Sequence, residues 1–148
     1  IISSIIEYLF NKNNLILFYD YSISNLGYTR SIHRDSDSRV IVMLLYLNNL
    51  EKEVKGGSLE IYKTKKRDKY PPFLPYDESS KVQDIKPVAG KLVIFLNTAN
   101  AYHAVSKMSH SSFGRHFIYG GFTMNSSFRS LALEFSNGKS PTEYHIYK

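Results

Sequence analysis

Ser31-Ile32-His33-Arg34-Asp35-Ser36-Asp37-Ser38-Arg39 runs directly into Val40-Ile41-Val42-Met43-Leu44-Leu45-Tyr46-Leu47. The second half is apolar at every position, the pattern of a strand buried on both faces. One face would line a core and the other needs a cover. The first half carries the chemistry. In an extended chain residues i and i+2 share a face, so His33 and Asp35 can offer an imidazole and a carboxylate to one point. With coordination positions left open, such a set suits non-haem Fe(II), provided a second His arrives from elsewhere in the fold. His103, in another strand-like segment, is the natural candidate. Taken alone, His-x-Asp is most often a surface turn, so its weight depends on its surroundings.

On the N-terminal side, Ile2, Ile5, Ile6 and Leu9 recur at helical spacing and predict one short amphipathic helix over Ile1 to Phe10. Asn11 to Asn14 break it. Leu15 to Ser22 reads as a strand, Ser24 to Gly27 as a turn, and Tyr28 to Asp35 as the strand that delivers the two ligands. The chain starts at Ile1 without an initiator Met and offers one obvious helix. The cover for the outer face of Val40 to Leu47 is therefore expected from upstream helices or from a partner subunit.

On the C-terminal side, Gly56-Gly57 restarts a strand at Ser58 to Lys63, where glycine allows close backbone approach. Lys65 to Ser80, with Pro71, Pro72 and Pro75, reads as a long loop, either of the functional or mobile kind common at this length or an ordinary surface insertion. Val82 to Val88 and Lys91 to Leu96 flank the turn Pro87 to Gly90. Ala101 to Lys107 carries His103, Met108 to Phe113 is a loop, and Arg115 to Thr123 is a strand. A last strand is expected around Ser130 to Ser136, before an irregular tail. Many short strands with turn signals point to an all-β barrel or sandwich.

A length of 148 residues fits one domain with a real core, and 43% hydrophobic residues exclude a disordered chain. No apolar run approaches the roughly 20 residues of a membrane helix and no signal-peptide pattern is present, so a cytoplasmic location is expected. Zero Cys excludes disulfides, zinc knuckles and thiol nucleophiles. Lys52, Lys55, Lys63, Lys65, Lys66, Arg67 and Lys69 supply much of the net charge of +6 around one hairpin-like region. A solvated loop explains them more simply than a nucleic-acid footprint. No Gly-x-Ser-x-Gly elbow and no phosphate-binding glycine loop occurs, which removes support for hydrolase and nucleotide-binding readings.

Six short motifs follow one another: His33-x-Asp35, Leu45-Tyr46-Leu47-Asn48, Gly56-Gly57-Ser58-Leu59, Ala89-Gly90-Lys91-Leu92-Val93-Ile94-Phe95, His103-Ala104-Val105 and Gly114-Arg115. In this order they resemble the Fe(II)/2-oxoglutarate-dependent oxygenases, and within them the prolyl-4-hydroxylase-like branch that includes the hypoxia-sensing prolyl hydroxylases. The resemblance spans roughly Leu26 to Phe122. It implies a double-stranded β-helix, also called a jelly roll or cupin-like barrel, as a single domain over 1–148 with its core at about 26–136. It implies that His33, Asp35 and His103 hold Fe(II), that 2-oxoglutarate takes two of the remaining positions, and that O2 takes the last. Ascorbate is a further small molecule it admits.

The far carboxylate of 2-oxoglutarate needs a cation, and an arginine fork suits it best. Arg115 stands where the family places that residue, although its spacing from His103 is lengthened by Ser109 to Ser112. Tyr46 matches the phenol that binds the same carboxylate in the hypoxia-sensing enzymes; it also reads as a core aromatic with its hydroxyl satisfied elsewhere. The implied reaction hydroxylates a C–H bond with release of CO2 and succinate. One position departs from the pattern. The family's Tyr three residues before the first His is Arg30 here, so either Tyr28 enters the pocket through a bulge or Thr29 or Ser31 substitutes. The departure lies on the substrate side and leaves the substrate open: a prolyl residue in a protein, or a small metabolite.

Other ligand candidates rank behind. Asp37 lies outside the His-x-Asp spacing, His116 alternates away from Arg115, His110 lies in a loop and His145 in the tail. Two further readings stand beside the oxygenase: a non-catalytic cupin-like barrel that binds metal or ligand, and a nucleic-acid repair oxygenase that uses Lys63 to Lys69 to hold phosphates. A homo-oligomer is compatible with all of them.

Overall fold

The structure is a computed structural model that describes residues 15–65 and 70–124. Among these residues the apolar and aromatic runs form eight strands: β1 (Leu15–Ser24), β2 (Arg30–His33), β3 (Arg39–Tyr46), β4 (Leu59–Thr64), β5 (Ser79–Ile85), β6 (Leu92–Leu96), β7 (His103–Val105) and β8 (Arg115–Met124). A 3₁₀ turn at Tyr76–Glu78 is the one helical element among them. No helix among the described residues is long and apolar enough to cross a membrane. The expected helix at 1–10, the strand at 130–136 and the tail lie outside the described residues.

The strands pair into two four-stranded sheets, ordered β1-β8-β3-β6 and β2-β7-β4-β5. Every neighbouring pair is antiparallel. The interleaved order is consistent with a jelly-roll-like core. The expected barrel does not close, however. Among the described residues no strand of one sheet is a ladder neighbour of a strand of the other. Two packed sheets already bury their inner faces against each other, so closure is not needed to hide them.

The space between the sheets is filled by Val42, Leu44 and Tyr46 of β3 and Phe117 of β8, facing Leu59 of β4. A second cluster lies on the opposite face of β2-β7-β4-β5, where Ile32, Tyr62, Tyr102 and Ala104 pack beneath Leu74. The segment from Tyr70 to Glu78 is therefore an ordered strap. Leu74 N–H donates to Ile32 O at 3.0 Å, Arg34 N–H to Pro72 O at 3.0 Å, and Tyr102 Oη to Pro71 O at 2.7 Å. It covers the free edge of β2, which would otherwise offer unpaired backbone groups.

β3 alternates instead of being buried throughout. Val42, Leu44 and Tyr46 face inward and are buried, whereas Ile41, Met43 and Leu45 are only half-buried. Among the described residues the outer face of this sheet is apolar, with Tyr19 73%, Tyr21 59% and Ile94 56% exposed. β2 also departs from the sequence reading, because it ends at His33 and leaves Asp35 in the connection to β3. There the backbone turns, with Arg39 N–H donating to Ser36 O at 2.9 Å. The Gly56-Gly57 restart has the expected steric cause: Gly56 has φ +75, and a Cβ there would lie 1.9 Å from Lys107 O.

Candidate active site

His33 and His103 are far apart in sequence, yet they are register partners across the antiparallel β2–β7 pair. Both side chains point into the space between the sheets, with ring centroids 4.4 Å apart. Each Nδ1 lies near a backbone carbonyl two residues earlier: Ser31 O at 2.8 Å for His33, and Ala101 O at 3.0 Å for His103. A carbonyl can only accept, so each Nδ1 carries a hydrogen and each Nε2 is the ring nitrogen turned to the interior. Phe95 meets the His103 ring edge-on at 5.1 Å and helps fix its plane.

Asp35 reaches the same point from the β2–β3 connection. Its Oδ1 lies 3.9 Å from His33 Nε2 and its Oδ2 4.0 Å from His103 Nε2. One donor atom from each of the three residues falls within 4.8 Å of the other two. Two imidazoles and one carboxylate on one side of a point, with the other side open, are a donor set that suits a non-haem Fe(II) site. Burial holds His103 below its ordinary pKa, opposed by the negative charge of Asp35. This favours the neutral ligand form.

Asn97, immediately after β6, holds the connection that carries Asp35. Its Nδ2 donates to Ser36 O at 2.9 Å, to Arg39 O at 3.1 Å and, at the limit of bonding distance, to Asp35 O at 3.4 Å. On the carboxylate itself, Tyr119 Oη donates to Oδ2 at 3.2 Å. Burial, followed by the Asp35 charge, pushes the Tyr119 phenol up to about 12, so it stays a donor. Neither Asn97 nor Tyr119 was singled out by the sequence. The parity Tyr119 shares with Arg115 on β8 was the available signal.

Arg115 begins β8 and is 1% exposed. Its Nε donates to Ser24 Oγ at 3.1 Å and its NH1 to Gly57 O at 2.7 Å. Its Cζ lies 4.6 Å over the Phe117 ring and 5.2 Å over that of Tyr28. Among the described residues no carboxylate pairs with it. A buried guanidinium without a counter-charge is expensive. Tyr46 lies beside it, close enough for the Arg115 charge to oppose the upward push of burial on the phenol. The Tyr46 hydroxyl is buried and has no hydrogen-bond partner among the described residues. An uncompensated cation and an orphaned hydroxyl in one interior are what an incoming carboxylate would satisfy.

The register irregularity between Arg30 and His33 brings Tyr28 to Arg115, where the two side chains also hydrogen-bond. Thr29, by contrast, donates its hydroxyl to Val105 O at 2.9 Å. The bulge alternative therefore fits Tyr28, at the arginine end of the pocket. Asp37 pairs with Arg34. His110 is exposed, and His116 on the outer face bonds Tyr21 Oη and Phe113 O. None of these joins the cluster. The 109–112 insertion is tied down by Glu51, whose carboxylate accepts from Ser111 Oγ at 2.6 Å and from Ser112 N–H at 2.7 Å.

The family model of the 2OG-Fe(II) oxygenase superfamily matches residues 16–122. The chain belongs to that superfamily. Members of that superfamily use Fe(II), 2-oxoglutarate and O2, and in this chain His33, Asp35 and His103 form a group that could hold a metal ion. A crystal structure of a Pseudomonas putida prolyl-4-hydroxylase is similar in fold, with a TM-score of 0.51 and 23% sequence identity. The similarity covers 84% of this chain and 63% of the Pseudomonas chain, so this chain spans less than two thirds of that protein's length. No curated protein matches this chain significantly in sequence.

Proposed function

We propose that this chain is an Fe(II)- and 2-oxoglutarate-dependent dioxygenase of the prolyl-4-hydroxylase-like branch, built on a double-stranded β-helix core. The observation that carries the reading is the convergence of His33, Asp35 and His103 on one point between the sheets. These three residues would hold the metal. Arg115 and Tyr46 would take the distal carboxylate of 2-oxoglutarate, the guanidinium through paired charge-assisted hydrogen bonds and the phenol through its unpartnered hydroxyl. When bound, Fe(II) and 2-oxoglutarate supply the O2-dependent hydroxylation of a C–H bond, with release of CO2 and succinate. The protein's own contribution is to orient both groups and keep water from the reacting face.

The substrate is a prolyl residue or a small molecule. The fold of the Pseudomonas enzyme supports the first, and Arg30 in place of the branch's Tyr supports a differently shaped substrate wall. Anaerobic titration with Fe(II) and then 2-oxoglutarate tests the core of the reading. A visible metal-to-ligand charge-transfer band should appear only with both present and weaken in Arg115→Ala. A folded, iron-loaded protein without that band would make the fold a ligand-binding module without this turnover. Asp35→Ala should abolish succinate formation, and undiminished succinate in that variant would remove Asp35 from the site.

A further inference from the structure

We propose that Tyr119 is a positioning residue for the metal carboxylate: its phenol holds one oxygen of Asp35 so that the other is presented to the point where the two imidazoles converge. The inference rests on the assignment of His33, Asp35 and His103 as ligands and adds a residue that this assignment does not contain.

The three ligands are not equally constrained. His33 and His103 sit on paired strands, and each is oriented by its own Nδ1–H bond to a backbone carbonyl. Asp35 lies beyond the end of β2, where no ladder fixes its side chain. Asn97 fastens the backbone around it but does not touch the carboxylate. Among the described residues the one hydrogen bond to that carboxylate comes from Tyr119 Oη, at 3.2 Å on Oδ2. With it, each of the three ligands has one orienting partner, the arrangement by which outer groups fix ligand rotation at metal sites.

Tyr119 is itself well placed to act as a fixed strut. It lies on β8 in the same parity as Arg115 and Phe117, facing the space between the sheets, with Asp20 of β1 and Leu44 of β3 as its register neighbours. Its ring packs against Phe18 at 5.5 Å, and Arg39 Cζ closes over the far partner, 3.5 Å from the Phe18 centroid. Without the phenol the carboxylate is free to turn both oxygens toward the metal or away from it. The residue thus governs how Asp35 binds, not whether it is present.

Co(II) is the probe, added anaerobically to the full chain and to Tyr119→Phe and Asp35→Ala, with affinity read by calorimetry and coordination by the visible spectrum. Tyr119→Phe removes only the hydroxyl. It should weaken Co(II) binding about tenfold, alter the Co(II) d–d bands, and leave the melting temperature of the metal-free protein unchanged. Unaltered affinity and spectrum in Tyr119→Phe, while Asp35→Ala loses binding, would overturn this inference and leave the ligand assignment standing. A loss of affinity matched by a lower metal-free melting temperature would make the contact structural and overturn it too. If Asp35→Ala binds Co(II) as the parent does, the ligand assignment itself fails.

Discussion

If Tyr46 takes the carboxylate of 2-oxoglutarate as proposed, it is worse for the empty protein than for the loaded one. A buried hydroxyl without a partner costs about 1–3 kcal/mol, and the Tyr46 hydroxyl is in that position. Tyr46→Phe should therefore raise the stability of the cosubstrate-free protein by about 1 kcal/mol while weakening 2-oxoglutarate binding about tenfold. Chemical denaturation and a 2-oxoglutarate titration read the two effects, and a variant that loses stability would mean the hydroxyl is satisfied after all. His103 sets a pH dependence of definite sign. Burial lowers its pKa from 6.5 in the folded state, so below pH 6.5 the unfolded chain binds more protons. Stability of the metal-free protein should fall as pH drops from 7.5 to 5.5, and a flat melting temperature across that window would contradict the burial of a neutral His103. His33, Asp35 and His103 were legible because their residue types and order narrow the chemistry. Tyr119 and Asn97 were not, because Tyr and Asn are common and their value here comes from a register that pairs residues far apart in sequence.

At the level of elements, β8 carries the most. It is paired on both sides, with β1 and with β3, and places Arg115, Phe117 and Tyr119 on its inner face. Its far half depends on glycine. Gly121 has φ +146, and a Cβ there would stand 1.9 Å from Ile41 O, so the backbones of β3 and β8 approach more closely than any side chain permits. Gly121→Ala should cost more than about 1 kcal/mol through forced separation of the two strands. A urea midpoint equal to the parent's would show that β3 can shift at no cost. The strands themselves were readable as apolar runs between turn residues. Their ends were not: Arg34 bonds to the strap at Pro72 and not to a neighbouring strand, so β2 stops two residues before Asp35. Period-two alternation also could not foresee the irregularity between Arg30 and His33 that turns Tyr28 toward Arg115.

At the scale of the whole molecule, the pairing of sheets explains why the all-β class was legible and the closed barrel was not. Alternation along a strand identifies an inner and an outer face, but the same pattern serves a sandwich and a barrel. Loading should show as linked stability. A ligand at a hundred times its Kd adds about 2.7 kcal/mol. Co(II) should raise the melting temperature, 2-oxoglutarate should raise it further only when metal is present, and Arg115→Ala should keep the first increment and lose the second. A 2-oxoglutarate increment without metal would place the cosubstrate elsewhere.

The candidate site draws its two imidazoles from one sheet, its arginine and both phenols from the other, and its carboxylate from the connection between them. The two sheets stand to each other like the covers of a book, and the occupants would be its clasp. Opening the covers and releasing the occupants then become one motion. Amide hydrogen exchange should slow in β7 and β8 together when Co(II) and 2-oxoglutarate are added; slowing in one sheet alone would mean the clasp is fastened on one side only.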